Sequence, residues 1–348
     1  SDDATSLQRV QHKIPMLSLS KVLEDAGLIK WWGGIQGKLP NKPNFTCEPK
    51  FDGSALSITY RDGVLVQAVT RGDGQKGQDV TANVLTIRNV PLRLQAPYPR
   101  PLEVRGEVVM LKSELAEYNR NAPKNGVNSI KNPRNGASGA ISHKDSRKAA
   151  TKPMTFYAYG YGVVEGSEHY SDGTQEYCMT DFRKECQRMG IPTFPIFETT
   201  RTLDGVRKVY DRLVGERETS DVEWDGMVIK ANHPKMRAKL GNSRTSPRWA
   251  VAYKFPPEMV RSTIKGITLQ VGSSGRLGIV AEIEPVDILG VTVRRATLHN
   301  PDFMSEKNLG IGSRVVVTRG GDVIPKIVRS IGDPAEPYDD SHFDNCPS

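Results

Sequence analysis

The chain has 348 residues, which is enough for about two domains. Lys and Arg outnumber Asp and Glu by 48 to 40, and the net charge of +8 favours a polyanionic partner such as nucleic acid. With 37% hydrophobic and 25% charged residues the chain can form a core. No apolar run approaches the roughly 18 residues of a membrane-spanning helix, and the polar N-terminus has no signal-peptide pattern. We therefore expect no membrane partner.

The cysteines give no sign of a disulfide framework. Cys47, Cys178, Cys186 and Cys346 are scattered, with no CxxC pair and no histidines at metal-ligand spacing. Incidental reduced thiols of this kind are typical of a cytoplasmic protein.

From about residue 15 to residue 256, short β-rich segments alternate with a few helices. The clearest turn is Asp62-Gly63, which divides the alternating run over 54–74 into a hairpin. Further strands are predicted at 102–110, 154–164, 225–232 and 248–255, and helices at 112–121, 180–190 and 202–218. Ser113 is the expected N-cap of the first helix, and Gly190 with Pro192 ends the second. A basic stretch over 233–248 links the last two strands.

The Phe-Pro-Pro run at 255–257 predicts a boundary, because proline extends neither a helix nor a central strand. About five short strands follow with almost no helix, which suits a small closed barrel of the oligonucleotide-binding (OB) type or, equally by pattern, an SH3-like barrel. The expected fold class is α+β. A lead segment over 1–14 precedes a domain of antiparallel sheets with helices over 15–256, and an all-β barrel over 257–332 precedes a tail over 333–348.

The segment 47–53 (CEPKFDG) carries the most informative chemistry. If it is extended, Glu48, Lys50 and Asp52 point to one face. Two carboxylates flanking a lysine suit a nucleophile whose pKa is lowered by burial or by nearby cations, although a surface turn is the plainer alternative.

Two later strands each place a lysine at the end of a face of small residues. Alternation puts Gly226, Val228 and Lys230 on one face, and Ala250, Ala252 and Lys254 on another. A flat base and a phosphate could approach such faces, whereas each lysine alone would more often be a solvated surface charge.

Ten short motifs follow one another along the chain. Five of them, KFDG (50–53), VRGEV (104–108), TFYAYG (155–160), DGMVIK (225–230) and WAVAYKF (249–255), resemble the nucleotidyltransferase motifs of covalent polynucleotide ligases and capping enzymes. The other five, MLSL (16–19), TRGDG (70–74), NPRN (132–135), ATLHN (296–300) and RGGDVIP (319–325), make the chain similar to the bacterial NAD-dependent DNA ligases. The resemblance covers about residues 12 to 346.

This resemblance implies a nucleotidyltransferase (adenylation) domain, an OB-fold domain and a three-step reaction. Lys50 would attack the α-phosphorus of NAD and expel nicotinamide mononucleotide. AMP would then pass to a 5′-phosphate at a nick in duplex DNA, and the 3′-hydroxyl would displace AMP to seal the nick.

The matching motifs also imply the remaining site residues. Glu48 would read the adenine amino group beside the backbone of Ser18 and Leu19, Glu107 would hold the ribose hydroxyls, and Tyr157 would stack on the adenine. The resemblance places Asp52 beside the nucleophile, Val228 against the base, and Arg71, Asp225, Lys230 and Lys254 around the phosphate and its Mg²⁺. Arg217 resembles an arginine that contacts the nucleotide phosphate or the nicotinamide half, although a solvated helix end is an equally simple interpretation.

The implied DNA contacts include departures from the family pattern. Arg134 resembles an arginine at the nick, and Arg319, Val323 and Ile324 belong to a barrel hairpin that packs on DNA. Ser142 stands where the family has a second nick arginine, with Lys144 as a substitute in charge. Ser273 and Ser274 stand where the family has Arg-Thr.

A typical family member is longer at both ends. It begins with a helical domain that recognises the nicotinamide half of NAD, and it continues into a four-cysteine zinc module, a helix-hairpin-helix domain and a BRCT domain. Cys346 resembles the first zinc ligand, so we expect no zinc here. We expect an excised core or a subunit whose partner chain carries the missing domains, in the cytoplasm of a bacterial cell or of a virus-infected host. NAD and Mg²⁺ are the expected cofactors.

The truncation leads to a functional expectation. Self-adenylation from NAD should be severely impaired, whereas sealing of a pre-adenylated nick should survive. The alternatives are a nucleic-acid-binding scaffold without turnover, and an ATP-dependent ligase or capping enzyme, against which MLSL, TRGDG and ATLHN argue.

Overall fold

We analysed a computed structural model of the protein. The structure describes residues 7–38, 43–164, 177–257, 259–271, 277–288, 291–318, 325–332 and 336–337. The chain divides into two compact units, Ser1–Phe255 and Pro256–Ser348. The division falls inside the Phe-Pro-Pro run.

The first unit contains two main antiparallel sheets and a set of short helices. Its strands are β1 (Arg9–Gln11), β2 (Ser20–Val22), β3 (Phe45–Phe51), β4 (Ser54–Arg61), β5 (Val64–Thr70), β6 (Lys76–Gln78), β7 (Leu102–Val109), β8 (Thr155–Val164), β9 (Glu198–Thr200), β10 (Trp224–Ala231) and β11 (Ala250–Lys254). Its helices are α1 (Asp25–Gln36), α2 (Thr81–Val84), α3 (Lys112–Asn121), α4 (Pro133–Ile141), α5 (Ser146–Ala149), α6 (Met179–Met189), α7 (Leu203–Glu216) and α8 (Pro234–Leu240).

Strand order defines the two sheets. One sheet runs β2-β11-β10-β3-β9, with β2 parallel to β11 and the other pairs antiparallel. The second sheet runs β5-β4-β7-β8 and is antiparallel throughout, while β1 and β6 form a separate two-stranded ribbon. Each sheet buries one face in its own apolar cluster, so its other face is available for polar chemistry.

The predicted hairpin is confirmed. Asp62 and Gly63 have φ values of 49° and 72°, the pair of positive values that a tight type I′ turn requires. The end predicted for α6 is also confirmed, since Gly190 caps the helix with φ 84° in the left-handed conformation.

The predicted N-cap of α3 is wrong. Leu111 occupies the cap position, and Ser113 lies inside the first turn. Asp221, distant in sequence, accepts hydrogen bonds from the Ser113 N–H at 2.7 Å and from its Oγ at 2.6 Å. A first-turn N–H of α3 is therefore paired by a residue far away in the sequence, and a local sequence pattern cannot predict such a partner.

Helices α1, α4 and α8 had no prediction. Helix α4 begins at Pro133 and is capped by Asn132, whose side chain accepts from the Asn135 N–H. Helix α8 lies within the basic stretch that was assigned as a link, and its buried face includes Met236 and Leu240.

The second unit is a closed five-stranded barrel, which confirms the predicted OB-type fold class. Its strands are β12 (Met259–Val271), β13 (Leu277–Ile288), β14 (Val291–Thr297), β16 (Arg314–Thr318) and β17 (Lys326–Ser330), in the order β12-β13-β14-β17-β16 with β16 pairing back to β12. Helix α9 (Pro301–Glu306) packs Met304 into the barrel core, and β15 (Gly310–Ile311) pairs with β18 (Glu336–Pro337). Among the helices of the described residues, none is long and apolar enough to cross a membrane.

Candidate active site

The floor of the site is the polar face of β3, β10 and β11. In register across these strands, Gly226 lies between Lys50 and Lys254, and Val228 lies between Glu48 and Ala252. Cross-strand partners share a face, so the alternation predicted for β10 and β11 holds. A Cβ added to Gly226 would lie 2.5 Å from the carbonyl oxygen of Tyr253, so this position excludes any larger residue. The opposite face packs into the cluster of Phe45, Met227 and Val251.

One carboxylate joins two amines at the end of this floor. Lys50 Nζ donates to Asp225 Oδ1 at 2.8 Å, and Lys254 Nζ donates to Asp225 Oδ2 at 3.0 Å. A register shift between Trp224 and Gly226 turns Asp225 toward the lysines. Burial acts to raise the pKa of Asp225, but Lys50 and then Lys254 outweigh it, and the net pKa is lowered. Asp225 is therefore an ionised bridge between the two strand ends.

A second ion pair lies deeper in the floor. Lys230 Nζ donates to Glu48 Oε1 and, at 2.6 Å, to the carbonyl oxygen of Tyr159. Lys230 and Glu48 are both buried, at 7% and 8% exposure, so each charge depends on the other for compensation. Lys230 was expected beside the phosphate. Its described contacts are instead to Glu48 Oε1 and to the carbonyl oxygen of Tyr159.

Strand β7, an inner strand of the second sheet, contributes a half-buried carboxyl group, that of Glu107. Burial raises the pKa of Glu107 to about 8, against the opposing field of Lys50. Gly53 makes room for this side chain, since a Cβ there would lie 3.0 Å from Glu107 Cγ and 2.2 Å from the carbonyl oxygen of Val108. Burial also raises the pKa of Asp52, although Arg134 forms an ion pair with it at 3.0 Å.

Tyr157 does not join this group. Its ring stacks on Phe51 with centroids 5.8 Å apart and meets Phe194 edge-on at 5.2 Å, within an apolar cluster. Tyr159 occupies the site instead, with Lys230 Nζ 5.1 Å from its ring centroid. Strict alternation would place both tyrosines on one face, but the register of β8 against β7 shifts between Arg105 and Gly106.

The other predicted nucleotide contacts lie at the rim. Arg71 is exposed in the turn after β5, and its charge acts on Glu107 and Tyr159. Ser18 and Leu19 lie immediately before β2, which pairs with β11. Arg217 caps the C-terminus of α7, and its guanidinium lies 5.8 Å from the ring centroid of Phe255.

The predicted DNA contacts are only partly described. Arg134 lies at the start of α4, half-exposed and paired with Asp52, while Ser142 caps the C-terminus of that helix and Lys144 follows it on the surface. The remaining positions lie outside the described residues: Arg319, Val323, Ile324, Ser273, Ser274 and Cys346.

The carboxylates of the site suit a cation held jointly by protein and substrate more than a metal ion held by protein ligands alone. Within the described residues, no group of three or more His, Cys, Asp or Glu side chains could hold a metal ion. Mg²⁺ is commonly bound by one or two carboxylates together with substrate phosphates. Asp225 and Asp52, beside Lys50, supply carboxylates of that kind.

A lysine that shares a carboxylate with a second lysine, beside a buried Glu-Lys pair, is a charge pattern that suits nucleotidyl transfer. Family comparison then identifies the protein family. The profile of the NAD-dependent DNA ligase adenylation domain matches residues 4–258, and that of the NAD-dependent DNA ligase OB-fold domain matches residues 261–338. The chain belongs to the NAD-dependent DNA ligase family.

Individual relatives agree with this assignment. A DNA ligase from Coxiella burnetii (strain RSA 331 / Henzerling II) is 42% identical over 325 residues, covering 92% of this chain and 48% of the relative. The chain thus spans about half the length of the curated relatives it matches. Among solved structures, Pmar-Lig_Pre. aligns with a TM-score of 0.48 at 15% identity, over 91% of this chain and 68% of its own. The ATP-dependent DNA ligase of bacteriophage T7 with ATP aligns with a TM-score of 0.37 at 13% identity, over 91% and 99%.

Proposed function

We propose that this chain carries the catalytic core of a DNA ligase that seals nicks in duplex DNA through a lysyl-AMP intermediate formed from NAD. The observation that carries the proposal is the Lys50–Asp225–Lys254 arrangement on the floor that also holds the Glu48–Lys230 pair. Covalent nucleotidyl transfer needs a positioned lysine amine beside cationic groups that stabilise phosphoryl charge. Both requirements meet on this face.

In the first step the Nζ–P bond forms at Lys50 while the P–O bond to nicotinamide mononucleotide breaks. The amine proton passes along the hydrogen bond to Asp225, which stands 2.8 Å away. Lys254 and Arg71 stabilise the charge on the phosphoryl oxygens as the bond order changes. Asp225 and Asp52, together with the substrate phosphates, would hold a Mg²⁺ ion, which would supply further charge neutralisation.

The adenosine part of the substrate lies over the floor beside β7 and β8. The Glu48 carboxylate accepts from the adenine amino group, and Lys230 fixes the orientation of that carboxylate. Tyr159 replaces Tyr157 as the aromatic platform for the base, because it is the tyrosine that lies over Lys230. Glu107 binds the ribose hydroxyls, and the backbone of Ser18 and Leu19 borders the base.

DNA binding rests on the remaining predicted contacts. Arg134 holds the nick phosphate once it leaves Asp52, and Arg319, Val323 and Ile324 bind duplex DNA from the barrel. Arg217 acts on the phosphate or nicotinamide half of NAD. Lys144 compensates in charge for the arginine absent at Ser142, since polyanion affinity depends on total phosphate neutralisation.

Intact mass spectrometry after incubation with NAD or with ATP tests the nucleophile and the cofactor together. We expect a mass increase of one AMP with NAD when a helical nicotinamide-recognising domain from a relative is supplied, and a much smaller yield without it. Lys50→Ala should abolish the adduct, whereas Lys239→Ala, at an exposed lysine on α8, should leave it unchanged. An adduct with ATP but not NAD overturns the cofactor assignment, and no adduct under any condition favours a non-catalytic scaffold.

A pre-adenylated nick separates sealing from adenylation. The chain alone should seal a chemically adenylated 5′-end, because that step requires only the adenylation and barrel units. An ordinary nick with NAD should be sealed far more slowly. Equal rates on the two substrates would contradict the proposed dependence of adenylation on a supplied nicotinamide-recognising domain.

A further inference from the structure

The N-terminal residues 7–16, which we call the strap, are tied to the turn over 70–78. Strand β1 pairs with β6, the His12 N–H donates to Gln75 O at 2.8 Å, and the Met16 N–H donates to Gly74 O at 2.8 Å. His12 is buried, and its Nε2 lies 3.1 Å from Thr70 O and 3.2 Å from Arg71 O. Both acceptors are carbonyl oxygens, so Nε2 carries the proton. The strap therefore holds the backbone of the turn that presents Arg71.

Arg105 clamps the other end of the strap. Its Nη1 donates to Pro15 O at 3.1 Å and its Nη2 donates to Ile14 O at 2.6 Å. A planar guanidinium can hold two successive carbonyls in one fixed geometry, which the single ammonium of a lysine cannot reproduce.

A buried carboxylate orients this guanidinium. Arg105 Nε donates to Glu103 Oε1 at 3.0 Å, and the two side chains are only 13% and 7% exposed. Glu103 is fixed in turn by Ser57 Oγ at 2.8 Å and by the Val163 N–H at 3.2 Å. Every group that sets the direction of Arg105 is therefore held by β4, β7 or β8, and the clamp is part of the sheet.

The clamp lies beside the candidate site. Glu103, Arg105 and Glu107 alternate along one face of β7, and the charge of Arg105 acts on Tyr159. After Met16 the chain reaches β2, where Ser20 pairs with Val251 of the other main sheet. Residues 17–19 therefore cross from one sheet to the other next to the groups assigned to the adenosine.

We propose that Arg105, oriented by Glu103, is a positioning residue that holds the strap so that Ser18 and Leu19 form one wall of the pocket for the adenosine of the nucleotide. The inference rests on the proposed function and deepens it. Neither Arg105 nor Glu103 touches the nucleotide in this arrangement. Their effect is to fix the backbone that does.

The test uses AMP as the probe, with calorimetric Kd values and amide hydrogen exchange measured on the whole chain. Arg105→Lys should raise the Kd for AMP by about tenfold and speed exchange of the amides of residues 12–20, since two charge-assisted hydrogen bonds are lost. Glu103→Gln should change both in the same direction by less. Arg9→Ala is the matched control, because Arg9 lies on the same strap but forms an exposed ion pair with Asp73, with side-chain exposures of 63% and 57%. Its Kd for AMP and its amide exchange rates should stay within about twofold of wild type.

Adduct kinetics with the supplied N-terminal domain provide the second readout. Arg105→Lys should raise the NAD concentration that gives half the maximal rate of adduct formation (the apparent KM) by about tenfold and leave the maximal single-turnover rate within about threefold, because a ground-state binding wall is lost and the reacting atoms are not touched. Faster exchange with an unchanged Kd and KM would show that the strap is no part of the pocket. A raised Kd without faster exchange would show that Arg105 acts directly, and either result overturns the proposal. If the wild-type chain binds AMP but forms no adduct even with the supplied domain, the proposed function is refuted. The Kd values of wild type and variants for AMP still test whether Arg105 positions the strap.

Discussion

Glu107 makes the stability of the first unit depend on pH in a direction opposite to that of a salt-bridged carboxylate. Its pKa is raised from an ordinary 4.5 to about 8 by burial. Below pH 4.5 the group is protonated in both folded and unfolded chains, so its contribution is fully retained. Between 4.5 and about 8 only the unfolded chain releases the proton, so the free energy of unfolding falls as pH rises. At 1.36 kcal/mol per pH unit the interval gives a ceiling of about 5 kcal/mol.

Glu107→Gln removes this dependence. The side chain keeps some access to water, so we expect roughly 2 kcal/mol of the ceiling to be realised. The variant should match the wild type near pH 5 and become more stable by that amount at pH 8.5. Its AMP affinity should fall, because an amide replaces the carboxylate assigned to the ribose.

Urea unfolding followed by tryptophan fluorescence measures the free energy of unfolding of the first unit, which contains Glu107. All four tryptophans, Trp31, Trp32, Trp224 and Trp249, lie in Ser1–Phe255, so the signal excludes the barrel. Glu117→Gln, at an exposed carboxylate on α3, is the control and should follow the wild-type curve. A stability difference between Glu107→Gln and wild type that stays constant from pH 5 to pH 9 would refute the reasoning.

Three further experiments test packing and placement. Tyr159→Leu should raise the calorimetric Kd for AMP about tenfold, because stacking on the base is lost. Tyr157→Leu should leave that Kd near wild type and lower the free energy of unfolding in urea by about 1–3 kcal/mol. The reverse pattern would restore Tyr157 as the platform for the base. Gly53→Ala should cost about 1–3 kcal/mol in urea, because its Cβ would meet a backbone carbonyl oxygen at 2.2 Å, while Gly33→Ala, with nothing within 4 Å, should not destabilise α1. Arg237→Met should cost about 1–3 kcal/mol in the same assay, because the buried guanidinium donates to Asn232 O at 2.8 Å and to Tyr177 O at 2.6 Å, and both hydrogen bonds are lost.

Local patterns predicted those parts of the fold that depend on local interactions. The Asp62-Gly63 turn, the Gly190 helix end and the barrel strands all follow from short-range φ preferences and alternation. The failures have a common cause in tertiary structure. Asp221, not the Ser113 side chain, accepts from the first-turn N–H of α3, and a register shift in β8 brings Tyr159 rather than Tyr157 to Lys230.

The candidate site was predictable as a set of residues, but its pairings were not. The resemblance of the motifs implied that Lys50, Asp225 and Lys254 lie in one region, whereas only the structure shows that Asp225 bridges both lysines and that Lys230 pairs with Glu48. The clamp was missed, although Arg105 lies inside the VRGEV motif. Its only signal was an arginine alternating with two glutamates along one strand, and the carbonyl oxygens that it binds are invisible in a side-chain pattern.

The register of β3 against β10 also makes the site a late product of folding. Lys50 and Asp225 are 175 positions apart in the chain, and Glu48 and Lys230 are 182 apart. Contacts of such long sequence separation carry a large loop-closure entropy and form slowly. Under the proposed function, the capacity to bind AMP should therefore return during refolding only after the hairpin and the second sheet have formed.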